Sequence, residues 1–535
     1  MSTMRRAGRA AALTAAAAIS ALALASCAPG SAPVASAPAG DVSTAIPTDD
    51  VTIRIQDETG FPVTDELTAE FTKQHPNVKF DITRDSFQNL LANTPRLLAS
   101  DDAPDLIRLS TLGTTVKDGL LTNLDPYFDA YGWDRFPAGQ LAGARMDDQG
   151  VRGEGSLWQF GIGYSVTGIY MNQELADQVG ITEMPATMDE LEADLAKAKD
   201  AGVLPIQTGM QDGVGTFILQ SLINQQGDKQ DLVDWMYNKP GATIQTDAAL
   251  AGATKFQDWA KAGYLPPDVN AINYTTMVSN FSAGQGLFMW DGNWDAANVE
   301  KALGQGGAQF GLVPPVEAGG KHVAMGTGNT FAIPAKSKNA DVVAAFLNWI
   351  VTDEKARQIV VDVTGASPGG DPAQALPTAQ EGSLIAKALE LSAEVGDDDG
   401  FVDFMANSTA GIYQGSLQPN EQLLLTDKMT PADFRAGLAS DRPLDQAGID
   451  RAIHALRPGR VSARERPATE QAVLDALSAS DAELSAPDIA ERVGVSRATA
   501  QRYLGALARD RVVDVQLNYG STGRPEHRYR ILRPR

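Results

Sequence analysis

Val51-Thr-Ile-Arg-Ile-Gln56, the stretch Thr64 to His75, and Asn77-Val-Lys-Phe-Asp-Ile82 together decide the architecture of most of this chain. The first and third alternate apolar and polar residues, the period of a half-buried strand, while the second repeats apolar residues at helical spacing and closes at Pro76-Asn77. Phe87 to Ser100 reads as a second helix and Ala103-Pro-Asp-Leu-Ile-Arg-Leu109 as a third strand. Strand, helix, strand, helix, strand is the signature of an α/β sheet with parallel strands. In such sheets ligands lie beyond the carboxyl ends of the strands. That rule marks Asp57, Glu58 and Thr59 after the first strand, and Ser110 and Thr111 after the third.

Working outward, 535 residues exceed what a single core supports and predict two or three folding units. The net charge of −23 is unevenly distributed. Residues 451–535 hold fifteen Arg, no Lys and ten acidic residues, a balance of +5, against −28 for the first 450. The acidic part would repel nucleic acid and the basic part could bind it. The single cysteine, Cys27, excludes a disulfide framework, and His75, His322, His454 and His527 lack ligand spacing, so no metal or other cofactor is expected.

Arg5, Arg6 and Arg9 precede an apolar run from Ala10 to Ala25, too short for a comfortable membrane span, and then Leu24-Ala-Ser-Cys27. This resembles a bacterial lipoprotein signal (1–27), which implies lipidation of Cys27 and an extracytoplasmic, lipid-anchored chain. Residues 28–49, rich in Pro, Ala, Ser and Gly, read as a flexible tether.

Beyond the opening strands, further segments follow in a telling order. Gly119-Leu-Leu-Thr-Asn-Leu-Asp-Pro-Tyr127, Leu157 to Asn172, Pro185-Ala-Thr-Met-Asp-Glu-Leu191, Phe281 to Trp294 and Gly326 to Asn339 together resemble the sugar-binding proteins of ABC importers of the maltose-binding type. The resemblance implies that residues 50–442 form a two-lobed periplasmic-binding-protein fold, type II-like, with hinge crossovers. It also implies a carbohydrate ligand, permease and ATPase subunits as partners, a monomer, and no enzymatic activity. A pyranose offers a rim of hydroxyls and apolar C–H faces, so its site needs carboxylates and amides at the rim and an aromatic platform. Asp57, Glu58, Thr111, Asp212 and Asn329 are the expected rim contacts. The resemblance places Trp294 as the stacking ring, with Trp290 and Tyr164 as further aromatics, and Ser165 where relatives often carry a carboxylate. Gly365-Ala-Ser-Pro-Gly369 satisfies a hydrolase pattern formally, but Pro368 and Gly369 suit a loop. Asp397-Asp-Asp-Gly400 reads as an acidic turn rather than a calcium loop.

After a Pro/Arg-rich linker at 443–466, Thr469–Ser478, Ser485–Val493 and Arg497–Ala508 have helix-turn-helix spacing, and Arg511–Gln516 and His527–Leu532 read as strands of a wing. Val495-Ser-Arg-Ala-Thr-Ala-Gln-Arg-Tyr-Leu504 and Tyr519-Gly-Ser-Thr-Gly-Arg-Pro525 resemble the winged helix of citrate- and dicarboxylate-type response regulators. Residues 467–535 are therefore expected to be a small winged helix-turn-helix, with Arg497, Thr499, Gln501, Arg502 and Arg524 facing DNA. Export and promoter binding conflict. Either the tail is a fusion remnant on an exported binding protein, or the chain is a ligand-responsive regulator.

Overall fold

The computed structural model describes residues 42–408, 412–438, 468–480, 483–509, 512–518 and 526–531. The chain divides into two compact units, residues 1–445 and 446–535, and the division falls within the segment read as a linker, which lies outside the described residues.

In the first unit, strands β1 (Val51–Glu58), β2 (Val78–Asp85) and β3 (Leu106–Arg108) alternate with helices α1 (Val63–Gln74) and α2 (Phe87–Ala99). β1 runs parallel to both β2 and β3, with Val51 opposite Val78 and Ile55 opposite Leu106. Ser86 starts α2 by accepting the Asn89 N–H, and Pro95 stands inside the helix. Parallel strands need crossovers, and the helices that supply them bury an apolar stripe: Leu67 and Phe71 pack with Ile53 and Ile55 in one core with Trp133, Phe160 and Phe346.

The remaining strands show how the chain passes between lobes. β4 (Phe160–Tyr164) closes the first sheet, β5 (Thr167–Asn172) opens a second, and β6 (Ile206–Gln207), β7 (Phe288–Gly292) and β8 (Ala308–Gly311) complete it in the order β8-β5-β7-β6. β9 (Gly328–Ala332) then returns to the first sheet, whose order is β2-β1-β3-β9-β4. Lobe 2 has its own core, in which Leu191, Leu195, Phe256, Trp259, Phe288 and Trp290 are buried. Two short crossings at residues 165–166 and 326–327 lie side by side, joined where the Ser165 N–H donates to the Thr327 carbonyl at 3.1 Å. Gly365 to Gly369 is a loop at this hinge. Gly365 ends a helix in the left-handed conformation (φ 62°), and Ser367 exchanges two backbone hydrogen bonds with Tyr164.

One detail departs from the reading of the sequence. β1 extends through Glu58, so Asp57 and Glu58 are its last two residues rather than a following loop. The acidic turn at 397–400 is held by Lys229, which pairs with Asp399 at 3.1 Å, and by Lys321, which donates to the Asp398 carbonyl.

The second unit has helices α3 (Ala468–Ser478), α4 (Ala486–Val493) and α5 (Arg497–Arg509) and strands β10 (Leu484–Ser485), β11 (Val513–Asn518) and β12 (Glu526–Ile531). The three strands form one antiparallel sheet in the order β10-β12-β11. Ser485 and Asp488 make a reciprocal capping box at the start of α4, and Gly494 (φ 75°) turns the chain toward α5. Val473, Ile489, Ala500, Leu504 and Tyr529 fill the core, at the spacing expected of a helix-turn-helix. β10 was not anticipated; it is too short to show a period.

Candidate functional site

The carboxyl ends of the two sheets each carry a polar cluster. In lobe 1 the ends of β1 and β3, one face of α2 and the segment 109–117, whose last residues form a short helix, surround a cavity of about 210 Å³. Glu58, Arg108, Ser110, Thr111 and Lys117 supply its polar wall, and Phe87, Leu90, Leu91 and Leu109 its apolar one. Arg108 lies over the Phe61 ring at 4.2 Å and 5.6 Å from the Phe331 ring, which fixes the guanidinium at the strand end. Its Nε stands 3.7 Å from Glu58 Oε2, and its Nη2 donates to Asn329 Oδ1 at 3.4 Å. Ser165 Oγ donates to the same Asn329 oxygen at 3.2 Å, so the first crossover is tied to β9. Asp57 is fully buried beside them, and burial raises its pKa and that of Glu58 despite the nearby Arg108. Three atoms of this cluster are buried without a partner: Asp57 Oδ2, Arg108 Nη1 and Asn329 Nδ2.

In lobe 2 the cluster lies at the end of β7. Asp291 is fully buried and Asp295 nearly so, and no cation pairs with either among the described residues. The Tyr274 hydroxyl bridges them, donating to Asp295 and lying 3.3 Å from both Asp291 oxygens, while it accepts the Trp294 indole N–H at 2.6 Å. Burial, and then the Asp295 charge, push the Asp291 pKa well above the usual carboxylate range. Trp294 packs edgewise on Phe217 and remains partly exposed. Asp212 Oδ2 accepts the Tyr274 N–H at 2.8 Å and so starts the helix that carries this tyrosine.

The lobes meet across the same edges. Gln88, at the start of α2, donates to the Asp212 carbonyl at 2.8 Å, the Tyr413 hydroxyl donates to that oxygen as well, and Gln414 reaches the Gln88 carbonyl. On another side Arg152 of lobe 1 pairs with Asp403 of lobe 2 at 2.8 Å, both side chains almost fully buried.

Of the residues marked in the sequence, Asp57, Glu58, Thr111, Ser165 and Asn329 gather at the lobe 1 edge, and Asp212 and Trp294 at the lobe 2 edge. Two others do not join them. Trp290 is 2% exposed and packs against Trp259 in the lobe 2 core, because the alternation of β7 turns it to the helix-covered side. Tyr164 spends its hydroxyl on the Gln140 carbonyl within lobe 1. Arg108, Lys117, Tyr274, Asp291 and Asp295 were missed. Arg108 carried the same signal as Asp57, a charge at the end of a strand. Asp291 was a lone carboxylate inside the apolar run Phe288-Met-Trp-Asp-Gly292, whereas nothing in its neighbourhood marked Tyr274.

In the second unit Arg497, Gln501 and Arg502 are exposed on α5. Thr499 is half-buried and holds the Ser496 hydroxyl at 2.9 Å, which makes it part of the helix cap as well as of this face. Arg524 and Cys27 lie outside the described residues.

Comparison with known proteins agrees with both units. Residues 472–516 match the IclR helix-turn-helix domain. The transcriptional regulatory protein DcuR of Escherichia coli K12 is 33% identical over 93 residues, 16% of this chain and 39% of that regulator. A probable sugar-binding periplasmic protein of Mesorhizobium japonicum is 26% identical over 208 residues, 37% of this chain and 47% of its own length; the chain thus spans about half of that relative. Among solved structures, a chitin oligosaccharide binding protein superposes with a TM-score of 0.62 at 18% identity, covering 76% of this chain and all of the other. Residues 57–357, more than half of the chain, match the bacterial extracellular solute-binding proteins, and to that family the chain belongs.

Proposed function

We propose that this protein captures a carbohydrate between its two lobes and delivers it to the permease and ATPase subunits of an ABC importer, as a monomer held at the outer face of the membrane by a lipid on Cys27. The observation that carries the reading is the pairing of half-sites at facing sheet edges. One is a cavity with an apolar wall, buried polar side chains and unpartnered donors; the other is a carboxyl pair next to the partly exposed ring of Trp294. Hydroxyls on a sugar rim would meet Glu58, Thr111 and Asn329, and a C–H face would lie on Trp294. The Leu-Ala-Ser-Cys27 motif supports the anchor and the family supports the importer.

A second reading is favoured by one feature, the α5 face with Arg497, Gln501 and Arg502 in a segment of charge +5. On that reading the chain stays in the cytosol and the first unit senses a ligand for a DNA-binding tail, with Arg524 reaching from the wing. Export with a silent tail is favoured, because signal, tether and binding body form one set.

Titrating the purified full-length chain with mono- and oligosaccharides while following tryptophan fluorescence tests the proposal. Saturable quenching is expected, with affinity reduced about tenfold or more in Trp294→Ala through loss of the stacking platform. A folded chain that responds to no sugar, is retained in the cytosol and binds specific DNA would overturn it in favour of the regulator.

A further inference from the structure

The lobe 1 cavity has more positive charge in its wall than a neutral ligand would answer. Arg108 and Lys117 are its cations and Glu58 is its carboxylate. A guanidinium has five N–H donors in a planar fork. In Arg108, Nη2 makes one long hydrogen bond of 3.4 Å, Nε stays 3.7 Å from Glu58, and Nη1 is buried with no partner. Asn329 Nδ2, beside it, is a second buried donor without an acceptor. Asp57 lies near Arg108 and is fully buried; burial raises its pKa, with the Arg108 charge acting the other way. Unanswered donors on a desolvated cation are costly, and a ligand that brings an acceptor of opposite charge removes that cost. At about 210 Å³ the cavity is below the ~300–1,000 Å³ of sites for drug-sized ligands, which suits a single sugar ring.

We propose that the sugar unit seated in this cavity carries a carboxylate, making the ligand a uronate or an oligosaccharide with an acidic residue. This rests on the carbohydrate reading above. The carboxylate takes the fork of Arg108, where planar bidentate pairing is strongest. Lys117, also in the wall, adds attraction, and Glu58 is left to accept from a neighbouring hydroxyl. The leucines of the wall cover the C–H face.

The test is calorimetric titration of the full-length chain with D-glucuronate and D-galacturonate, with D-glucose, D-galactose and neutral disaccharides in parallel. The acids are expected to bind about tenfold tighter than their parent aldoses, with the preference shrinking as salt is added. Arg108→Lys, which keeps the charge and removes the fork, is expected to lose most of that preference. Lys117→Gln, at an exposed position, is expected to weaken the acids by about threefold to tenfold more than it weakens the aldoses. Aldoses binding as tightly as the acids would overturn this inference and leave the carbohydrate reading standing. A folded chain silent to every sugar would overturn both.

Discussion

The two half-sites occupy equivalent places, each at the carboxyl end of a sheet, yet they solve the problem of buried polarity in opposite ways. The lobe 2 cluster is largely satisfied from within: Tyr274 accepts from Trp294 and donates to Asp295, and Asp291 takes the Gly292 N–H at 2.8 Å, while Asp212 Oδ1 beside them is buried without a partner. The lobe 1 cluster is not, since Arg108 and Asn329 each keep a buried donor without a partner. A self-satisfied network costs stability when one member is removed, because its partners are orphaned. An unsatisfied one loses mainly what a ligand would have supplied. The difference separates the part of the site that is built on folding from the part that is completed on binding.

Substitutions in both lobes put this contrast under strain. Trp290→Ala, in the core beneath the cluster, should have the largest effect, lowering stability by about 3–5 kcal/mol in urea denaturation. A smaller loss would mean that Trp290 is not the packed core residue its 2% exposure indicates. Tyr274→Phe should cost about 1–3 kcal/mol, because it orphans the Trp294 N–H and removes the bridge to Asp295, while Glu58→Gln in lobe 1 stays within about 1 kcal/mol. Equal effects from the two would erase the distinction between the half-sites.

A last effect concerns pH. Burial and the Asp295 charge raise the Asp291 pKa above its unfolded value of 3.8. The folded state then binds the proton more tightly than the unfolded chain. The stabilisation is complete below the unfolded pKa and is lost as pH rises toward the folded value. Asp291→Asn should remove this decline, so that variant and parent diverge above pH 4 by at most about 1.4 kcal/mol per pH unit in the variant's favour. Parallel pH profiles of the thermal midpoint would show that folding does not raise the Asp291 pKa.

Much of the architecture was legible in the sequence because it is written in period. The alternation of Val51 to Gln56 continues through Asp57, which falls on the buried face with Ile53 and Ile55, so the same pattern that located the strand also foretold a buried carboxylate. The turn between α4 and α5 was legible from Gly494, which sits where the left-handed region is required. The site was only half legible. Trp290 and Trp294 look alike in the run Phe288 to Trp294, and only the pleat of β7 sends the first into the core while the turn after Gly292 leaves the second at the edge. Tyr274 reaches the cluster from a separate helix, a long-range contact that no local pattern encodes. Arg108 was visible as a charged strand end but was read as part of a strand rather than of a rim.

Asn293 gives the hinge a further meaning. Its side-chain oxygen accepts the Val166 N–H at 2.8 Å, and its amide donates to the Thr364 carbonyl at 3.1 Å, binding the lobe 2 loop to the first crossover and to the last turn of a lobe 1 helix. Trp294 is the next residue. If the lobes close on a ligand as proposed, a ring one peptide bond from the pivot travels little, so its landing surface is the same before and after closure. The arrival of a ligand on that ring is then insensitive to the swing, and closure expresses itself in how long the ligand stays.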